Sequence, residues 1–200
     1  EAAETIAALE YAVRYGHRPA IVAGEAGIGK TMLVRSLLQR LHNTDHAVVI
    51  TVPTGDGRHI IREVAKAFGL TFSGHPTTRR CLARLRRYFT QHAREDHHAA
   101  VVFDQAEHLN AEEMLKAVAL SELQIDDRRL ASVILVGQPQ MLTTLTAPEF
   151  ARFRQQAFTE STLTGLSASQ TGEYISTRLR VAGAANPDLF TPDAVLRICQ

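Results

Sequence analysis

Residues 24–31 read Gly24-Glu25-Ala26-Gly27-Ile28-Gly29-Lys30-Thr31. This stretch fits the pattern G-x-x-x-x-G-K-[ST] in full. An apolar segment, residues 19–23, comes directly before it, and apolar residues at helical spacing follow it. A strand, a glycine-rich turn and a helix in that order form a loop whose inward backbone N–H groups hold phosphates. The predicted nucleotide contacts are Gly24, Glu25, Ala26, Gly27, Ile28, Gly29, Lys30, Thr31 and Met32.

A second motif, residues 101–104, places an acidic residue, Asp104, at the end of an apolar strand. In a parallel sheet the carboxyl ends of the strands form the edge where ligands bind. Lys30 is expected to face the β- and γ-phosphates, while Thr31 and Asp104 are expected to hold Mg²⁺. The sequence therefore predicts binding of a nucleoside triphosphate with Mg²⁺, and of ATP in preference to GTP.

The residues after Asp104 set the expectation for hydrolysis. Most ATPases of this kind place a glutamate directly after the aspartate, where it orients and polarises the attacking water. Here the run is Asp104-Gln105-Ala106-Glu107. An amide such as that of Gln105 cannot accept a proton, although it can position water. Glu107 lies on the same side as Gln105 if the backbone stays extended, and does not if a helix begins. The pattern thus supports nucleotide binding more strongly than hydrolysis.

Apolar segments of strand length alternate with segments of helical periodicity through the first 166 residues. The predicted strands are residues 19–23, 47–52, 99–103, 131–136 and 157–163. Strands that are nearly all apolar and alternate with helices indicate an α/β fold, with a parallel sheet covered by helices on both faces. After residue 166 the pattern becomes purely helical. We therefore predict an α/β core over residues 1–166 and the beginning of a helical lid over residues 167–200.

Composition excludes several classes of protein. The chain has 200 residues with a net charge of +1, so no global field selects nucleic acid or an anionic membrane. No apolar run approaches the length of a membrane span. Cys81 and Cys199 form no disulfide scaffold, which favours a reducing compartment. The adjacent His97-His98 pair has no partner ligands at helical or hairpin spacing, so no metal site is expected there. Because the chain starts without methionine and stops within an apparent helix, we expect a fragment of a longer protein, whose other parts could include a membrane anchor.

Five stretches give the sequence a resemblance to a known family. They are AGEAGIGKT (23–31), VVFDQAEHL (101–109), VILVGQPQMLTTLTAPEFARFRQQ (133–156), ISTRLRVAGA (175–184) and LFTPDAV (189–195). With them the whole chain resembles the AAA-type ATPases of the ExeA/GspA group, associated with general (type II) secretion. It is more remotely similar to the transposition regulators TniB and MuB. The resemblance implies an AAA-type P-loop fold and hydrolysis of ATP to ADP and phosphate.

The resemblance also implies roles for residues outside the two motifs. Gln138 matches the sensor-1 position, from which a polar side chain reaches the γ-phosphate or the water. Arg154 matches the arginine finger that a neighbouring subunit supplies in trans. Arg178 and Arg180 are weaker candidates for the sensor-2 arginine. A homo-oligomer with ATP at its subunit interfaces is therefore expected, in the cytoplasm and with a protein of the secretion apparatus or cell envelope as partner.

Two departures from the family pattern concern hydrolysis. The family usually reads DEAQ where residues 104–107 read DQAE, an exchange of Glu and Gln. It commonly reads LRQR where residues 153–156 read FRQQ, so one arginine is missing. Both changes leave the phosphate loop intact. We therefore expect ATP to bind and to be hydrolysed slowly.

A predicted helix starting at Thr77 or Thr78 carries arginines on one face. They are Arg80, Arg84, Arg87 and Arg94, flanked by Arg79 and Arg86. Each could contact a DNA phosphate and contribute to a salt-dependent affinity. No aromatic residue is interleaved on that face, so base stacking gains no support. We prefer a solvated helix face over a DNA-binding one.

Three functions compete. The preferred one is an ATPase whose nucleotide state drives assembly of a secretion or cell-envelope machine. The second is an ATP-dependent DNA-binding regulator of transposition or replication, in which the arginine helix would face nucleic acid. A small-molecule kinase is less consistent with the sequence. The sequence shows no arginine-rich lid with an acceptor pocket, and the strand after the phosphate loop carries no obvious acceptor-binding carboxylate.

Overall fold

The computed structural model describes residues 2–16, 19–41, 45–53, 59–95, 97–126, 128–156, 159–186 and 189–199. These residues form two compact units, which divide after Leu163. The first two residues of the predicted fifth strand, 157 and 158, lie outside this description. Helices of the described chain are too short or too polar to cross a membrane.

Five strands form one parallel sheet. They are β1 (Ala20–Gly24), β2 (Asp45–Thr51), β3 (His98–Asp104), β6 (Ala131–Gly137) and β7 (Thr159–Leu163), with a small antiparallel pair, β4 (Gln124–Ile125) and β5 (Arg128–Arg129), outside it. The order across the sheet is β2-β3-β6-β1-β7, and every neighbouring pair is parallel. The predicted α/β fold with a parallel sheet is therefore confirmed.

Helices cover this sheet and continue into the second unit. They are α1 (Ala2–Tyr11), α2 (Lys30–Leu41), α3 (Ile60–Ala67), α4 (Thr78–Arg94), α5 (Ala111–Ala119), α6 (Gln140–Leu145), α7 (Ala151–Gln155), α8 (Ala168–Val181) and α9 (Pro192–Ile198). Thr77 caps α4 by accepting a hydrogen bond from the backbone of Arg80. Asn110 and Glu113 form a capping box at the start of α5. Such caps satisfy N–H groups that a helix cannot pair internally.

The core lies on both faces of the sheet, because successive strand residues point to opposite sides. On one face Val101 and Val133 pack with the apolar sides of α3, α4 and α5. On the other face Val102 and Ile134 pack with α1 and α2. All seven residues of β6 are buried. Full burial of each Val, Ile or Leu side chain of β6 contributes about 1.5–3 kcal/mol, so these two layers stabilise the central strand.

The strand order places three of the predicted site positions at one edge. The phosphate loop follows β1, Asp104 ends β3, and Gln138 follows β6. Strand β6 pairs with β1 on one side and with β3 on the other. Gln138, which follows β6, therefore lies between the phosphate loop and Asp104 along this edge. This carboxyl edge is where open parallel sheets bind ligands.

The second unit consists of the two helices α8 and α9, which contact each other. Ser167 and Gln170 form a capping box on α8, and Thr191 caps α9. The compact division after Leu163 lies close to the predicted boundary at 166. Assignment of residues 167–200 as a lid stays a prediction.

Candidate nucleotide-binding site

The phosphate loop depends on glycine at three positions. Gly27 and Gly29 have φ values of +79° and +101°, a region that residues with a Cβ rarely adopt. Gly24 lies in a close approach, where an added Cβ would stand 3.0 Å from the Cγ2 of Ile28 and 3.2 Å from the carbonyl oxygen of Leu163. The motif glycines therefore shape the turn itself, and helix α2 begins directly after it.

Lys30 lies inside the loop. Its side chain is buried, and its Nζ donates to the carbonyl oxygens of Gly24 at 2.7 Å and Glu25 at 2.8 Å. An ammonium group held at the start of α2 places a full positive charge beside the positive end of the helix dipole. This arrangement suits an anionic ligand, and the contact of Lys30 with phosphate stays a prediction.

Thr31 and Asp104 are brought into direct contact across 73 positions of sequence. The Thr31 hydroxyl donates to the Asp104 carboxylate at 2.9 Å, and Asp104 is only 3% exposed. The other carboxylate oxygen accepts the backbone N–H of Gln105 at 3.0 Å. A hydroxyl and a carboxylate are hard oxygen ligands of the kind that Mg²⁺ prefers. The two residues predicted to hold Mg²⁺ thus fit that ion, although its binding stays a prediction.

The chain turns sharply after Asp104. Gln105 has φ 61° and ψ 41°, a left-handed conformation that costs a residue other than glycine about 1–3 kcal/mol. A short 3₁₀ turn over Ala106–His108 follows at once. The backbone therefore does not stay extended, and strand alternation does not place Glu107 beside Gln105. Gln105 itself is exposed.

Glu107 binds Gln138 with both carboxylate oxygens. The backbone N–H of Gln138 donates to one oxygen and the side-chain Nε2 donates to the other, each at 3.1 Å. Both residues are partly buried, and bonds to a charged acceptor are the stronger class of hydrogen bond. Glu107 therefore fixes the position of Gln138 at the end of β6.

The two hydrogen bonds between Glu107 and Gln138 form a clamp. Gly137 leaves room for this clamp, a role that the sequence analysis does not predict. A Cβ at residue 137 would lie 2.6 Å from a carboxylate oxygen of Glu107 and 3.1 Å from its backbone nitrogen. The signal was present, since glycine interrupts an apolar strand at its carboxyl end. A second missed contact joins the neighbouring strands, because the Nδ1 of His108 lies 3.2 Å from the carbonyl oxygen of Val52.

Arg154 forms its hydrogen bonds with backbone groups and not with the other predicted site residues. Its guanidinium donates to the carbonyl oxygens of Leu145 at 2.6 Å and Ala147 at 2.8 Å, at the end of α6. The residue is exposed at the surface of the first unit. A finger role would require a neighbouring subunit, so that role stays a prediction.

The remaining predicted residues lie at exposed positions. Met32 is 47% exposed on α2. Arg178 and Arg180 are exposed on α8 of the second unit, and the Arg178 guanidinium lies 5.2 Å from the ring centre of Tyr174. Their sensor-2 role stays a prediction.

The arginine helix is α4, and its arginines are exposed. Arg84 donates to the carbonyl oxygen of Thr71 at 2.6 Å and lies 5.2 Å above the ring of Phe72. Arg80 and Arg87 line a shallow groove on the same face. Arg84 lines the same groove, but its guanidinium is also held by contacts within its own chain.

Comparison with known proteins identifies the family. Residues 13–145 match the AAA domain family, so the chain belongs to it. A curated relative is the General secretion pathway protein A of Aeromonas hydrophila, 28% identical over 192 residues. That alignment covers 96% of this chain and 35% of the relative, so the chain spans about a third of that protein's length. The resemblance to the ExeA/GspA group is confirmed, whereas the remoter one to TniB and MuB stays a prediction.

Solved structures share the fold. The Cdc6p protein of Pyrobaculum aerophilum has a TM-score of 0.70 and 16% identity, over 99% of this chain and 52% of that one. The ORC1 protein of Aeropyrum pernix, solved in complex with DNA, has a TM-score of 0.63 and 16% identity, over 90% and 48%. The ORC2 protein of the same organism, solved as ADPNP-ADP complexes, has a TM-score of 0.62 and 17% identity, over 90% and 51%. The chain spans about half of each, and the likeness shows a common fold.

Proposed function

We propose that this AAA domain binds ATP with Mg²⁺ at the carboxyl edge of its sheet and hydrolyses it slowly. In this proposal the nucleotide state drives assembly or rearrangement of a cytoplasmic machine of secretion or of the cell envelope. The observation that carries the proposal is the contact between Thr31 and Asp104 beside the buried Lys30. The Lys30 ammonium group, the oxygens of Thr31 and Asp104, and the N-terminus of α2 therefore lie close together at the end of the phosphate loop.

Each of these groups has a defined role in the proposal. Lys30 exchanges its two carbonyl contacts for oxygens of the β- and γ-phosphates. The Thr31 hydroxyl ligates Mg²⁺, and Asp104 holds the ion directly or through its water shell. The ion, when bound, neutralises the charge that develops between the phosphates. Backbone N–H groups of residues 24–31 complete the cradle.

Slow hydrolysis follows from the positions of Gln105 and Glu107. No carboxylate follows Asp104 directly, and the exposed Gln105 cannot accept a proton from water. The Glu107 carboxylate holds Gln138 with both oxygens. With its amide nitrogen donating to Glu107, Gln138 would orient the water through its amide oxygen. The site therefore positions water without a strong base beside it.

The cellular role rests on the relative. The protein named General secretion pathway protein A is similar to this chain over 96% of the chain's length. In the proposal ATP lies between identical subunits, and Arg154 from one subunit enters the site of the next. Its two carbonyl contacts at the end of α6 would then be exchanged for contacts with phosphate.

The arginines of α4 support a second candidate function, DNA binding. Its exposed arginines could bind DNA, and one of the proteins that share the fold, ORC1 of Aeropyrum pernix, was solved in complex with DNA. Replacing Arg80 and Arg87 with Ala tests this more cleanly than replacing Arg84, which contacts its own backbone. Salt-dependent binding to duplex DNA that is lost in the double variant would favour a DNA-binding regulator.

Calorimetric titration of ATP into Lys30→Ala tests the proposed nucleotide site. Removing the buried charge should weaken binding at least tenfold, or about 1.4 kcal/mol. Lys66→Ala is the matched control, since Lys66 pairs with Glu63 on the exposed side of α3. The proposal fails if Lys30→Ala binds ATP as tightly as the Lys66 variant does.

A further inference from the structure

Three histidines meet at the amino edge of the sheet, opposite the nucleotide site. His46 is the second residue of β2, His97 directly precedes β3, and His92 lies in the last turn of α4. One ring nitrogen of each lies within 4.8 Å of the others. We call these residues the histidine cluster. They lie about 20 Å from Asp104, the length of seven-residue β3.

Backbone pairing explains why the three residues meet. In the parallel pair of β2 and β3, His46 lies opposite Ala99, which places it two residues along from His97. The backbone N–H of His97 donates to the carbonyl oxygen of His92 at 3.0 Å, across the turn that leaves α4. Two independent constraints, a sheet register and a helix-terminal turn, therefore hold the rings together.

We propose that the histidine cluster binds a divalent transition-metal ion, with Zn²⁺ as the representative ion. Imidazole nitrogen is a preferred ligand of Zn²⁺, and three histidines plus water make a recurrent tetrahedral site. With metal–nitrogen bonds of 2.0–2.1 Å, tetrahedral ligands stand about 3.3 Å apart. The Nε2 of His46 and the Nδ1 of His97 are already 3.2 Å apart. Rotations that move the third nitrogen by at most about 1.5 Å would complete the set.

Neighbouring side chains contact two of the three imidazole rings. The Tyr88 hydroxyl lies 3.1 Å from the second nitrogen, Nδ1, of His46. A carboxylate oxygen of Glu95 lies 3.4 Å from the Nδ1 of His92, an ion-pair contact without a hydrogen bond. Metal-bound histidines usually have a hydrogen-bond partner on their other nitrogen, which fixes the tautomer and the ring orientation, and the Tyr88 hydroxyl supplies this partner for His46.

The sequence analysis does not predict this site. The spacings between residues 46, 92 and 97 match no helical or hairpin metal motif, and the adjacent pair His97-His98 suggested no partners. In the structure His97 belongs to the cluster, and its partners come from β2 and from α4. The bound ion would join the end of α4 to the amino ends of two strands. That is a cross-link between elements that the sequence places far apart.

The competing explanation is a stack of imidazoles without metal. The rings of His46 and His97 are stacked at 5.3 Å, and those of His92 and His97 are nearly parallel at 6.2 Å. A hydrogen bond between the two nitrogens 3.2 Å apart would account for part of this geometry. The two explanations differ in whether the cluster takes up Zn²⁺ with defined stoichiometry.

The test is a titration of Zn²⁺ against a chromophoric chelator, using the 200-residue chain without a histidine tag. Excess Mg²⁺ occupies the oxygen site, and a Cys199→Ser background removes the exposed thiol. We expect one Zn²⁺ per chain. His97→Ala and His92→Ala should each weaken binding more than about 100-fold, and Tyr88→Phe about tenfold. His75→Ala removes an exposed histidine outside the cluster and should change nothing.

Two further measurements make the result decisive. Circular dichroism shows whether each variant is folded, and His97 is exposed, so its loss should be tolerated. Co²⁺ in place of Zn²⁺ should give the visible absorption of a four-coordinate ion, lost in His97→Ala. The proposal is overturned if the parent chain binds no Zn²⁺. It is also overturned if folded His97→Ala and His92→Ala bind the ion as tightly as His75→Ala does.

Discussion

The phosphate-binding half of the nucleotide site and its hydrolytic half differ in how their side chains are held. Lys30 donates to two carbonyl oxygens of the loop at 2.7 and 2.8 Å, and Thr31 donates to Asp104 at the end of β3 at 2.9 Å. In the hydrolytic half Gln105 is exposed on a left-handed turn, and Arg154 binds carbonyls at the end of α6. One chain thus holds the groups proposed to bind nucleotide in place, whereas the proposed hydrolytic groups would need a partner subunit and the contact between Glu107 and Gln138.

This contrast separates affinity from rate. Interactions that hold substrate and transition state equally well give affinity alone, and only groups that act in the transition state raise the rate. The first half offers charge and oxygen ligands at fixed positions. The second lacks a base next to Asp104. Variants in the two halves should therefore affect different observables.

The largest effect on rate is expected for Arg154→Ala. An arginine finger contributes roughly 10³- to 10⁵-fold, and it acts only where subunits meet. The rate per subunit should rise with protein concentration in the parent chain, and Arg154→Ala should abolish that rise while ATP affinity is kept. Arg152→Ala is the control, because Arg152 is exposed and pairs with Glu122. A rate that never depends on concentration, or a rise that survives in Arg154→Ala, would contradict the finger assignment.

A smaller effect on rate is expected for Glu107→Gln. The new amide offers one acceptor where Gln138 presents two donors, so the clamp loses a charged hydrogen bond worth about 1.5–3 kcal/mol. We expect hydrolysis to slow about 10- to 100-fold with ATP affinity unchanged. Glu112→Gln serves as control on the exposed side of α5.

A double-mutant cycle with Gln138→Ala shows whether Glu107 acts through Gln138. If it does, adding Glu107→Gln to Gln138→Ala should slow hydrolysis no further. Additive losses would mean that Glu107 acts on the water itself, and the two halves would then differ less than proposed.

The smallest effect is a loss of stability in Gly137→Ala. The added Cβ would lie 2.6 Å from the Glu107 carboxylate, so backbone or clamp must shift. Overpacking of this kind costs about 1–3 kcal/mol, which lowers Tm by about 3–10 °C in a chain of this size. Gly165→Ala is the matched control, because nothing lies within 4 Å of its added Cβ. Equal Tm values for the two variants in thermal unfolding would show that the clamp yields without cost.

The loop and the parallel sheet that carries it are predicted from the sequence because their information is local. Eight consecutive residues specify the loop, and alternation of apolar strands with helices specifies the parallel sheet. The acid at the end of β3 follows from the same pattern. Each inference needs only neighbours in sequence and the rule that parallel strands end at one edge.

The residues of the hydrolytic half are candidates in the sequence, but their contacts are not predicted, because those contacts are long-range or conformational. Glu107 reaches Gln138 only because β3 and β6 are neighbours in the sheet, a pairing that periodicity does not reveal. The left-handed turn at Gln105 is one φ angle at a residue that rarely adopts it. The histidine cluster likewise depends on the register between β2 and β3. These features follow from tertiary packing and not from spacing.

The most direct test of the nucleotide site is calorimetric titration of ATP with Mg²⁺ and with the ion chelated, in the parent chain and in Asp104→Asn. The parent should bind ATP about tenfold or more tightly when Mg²⁺ is present, a gain of about 1.4 kcal/mol. Asp104→Asn should lose that gain, because the variant lacks the negative charge with which a carboxylate binds Mg²⁺. If both proteins show the same dependence on Mg²⁺, then Asp104 does not hold the ion.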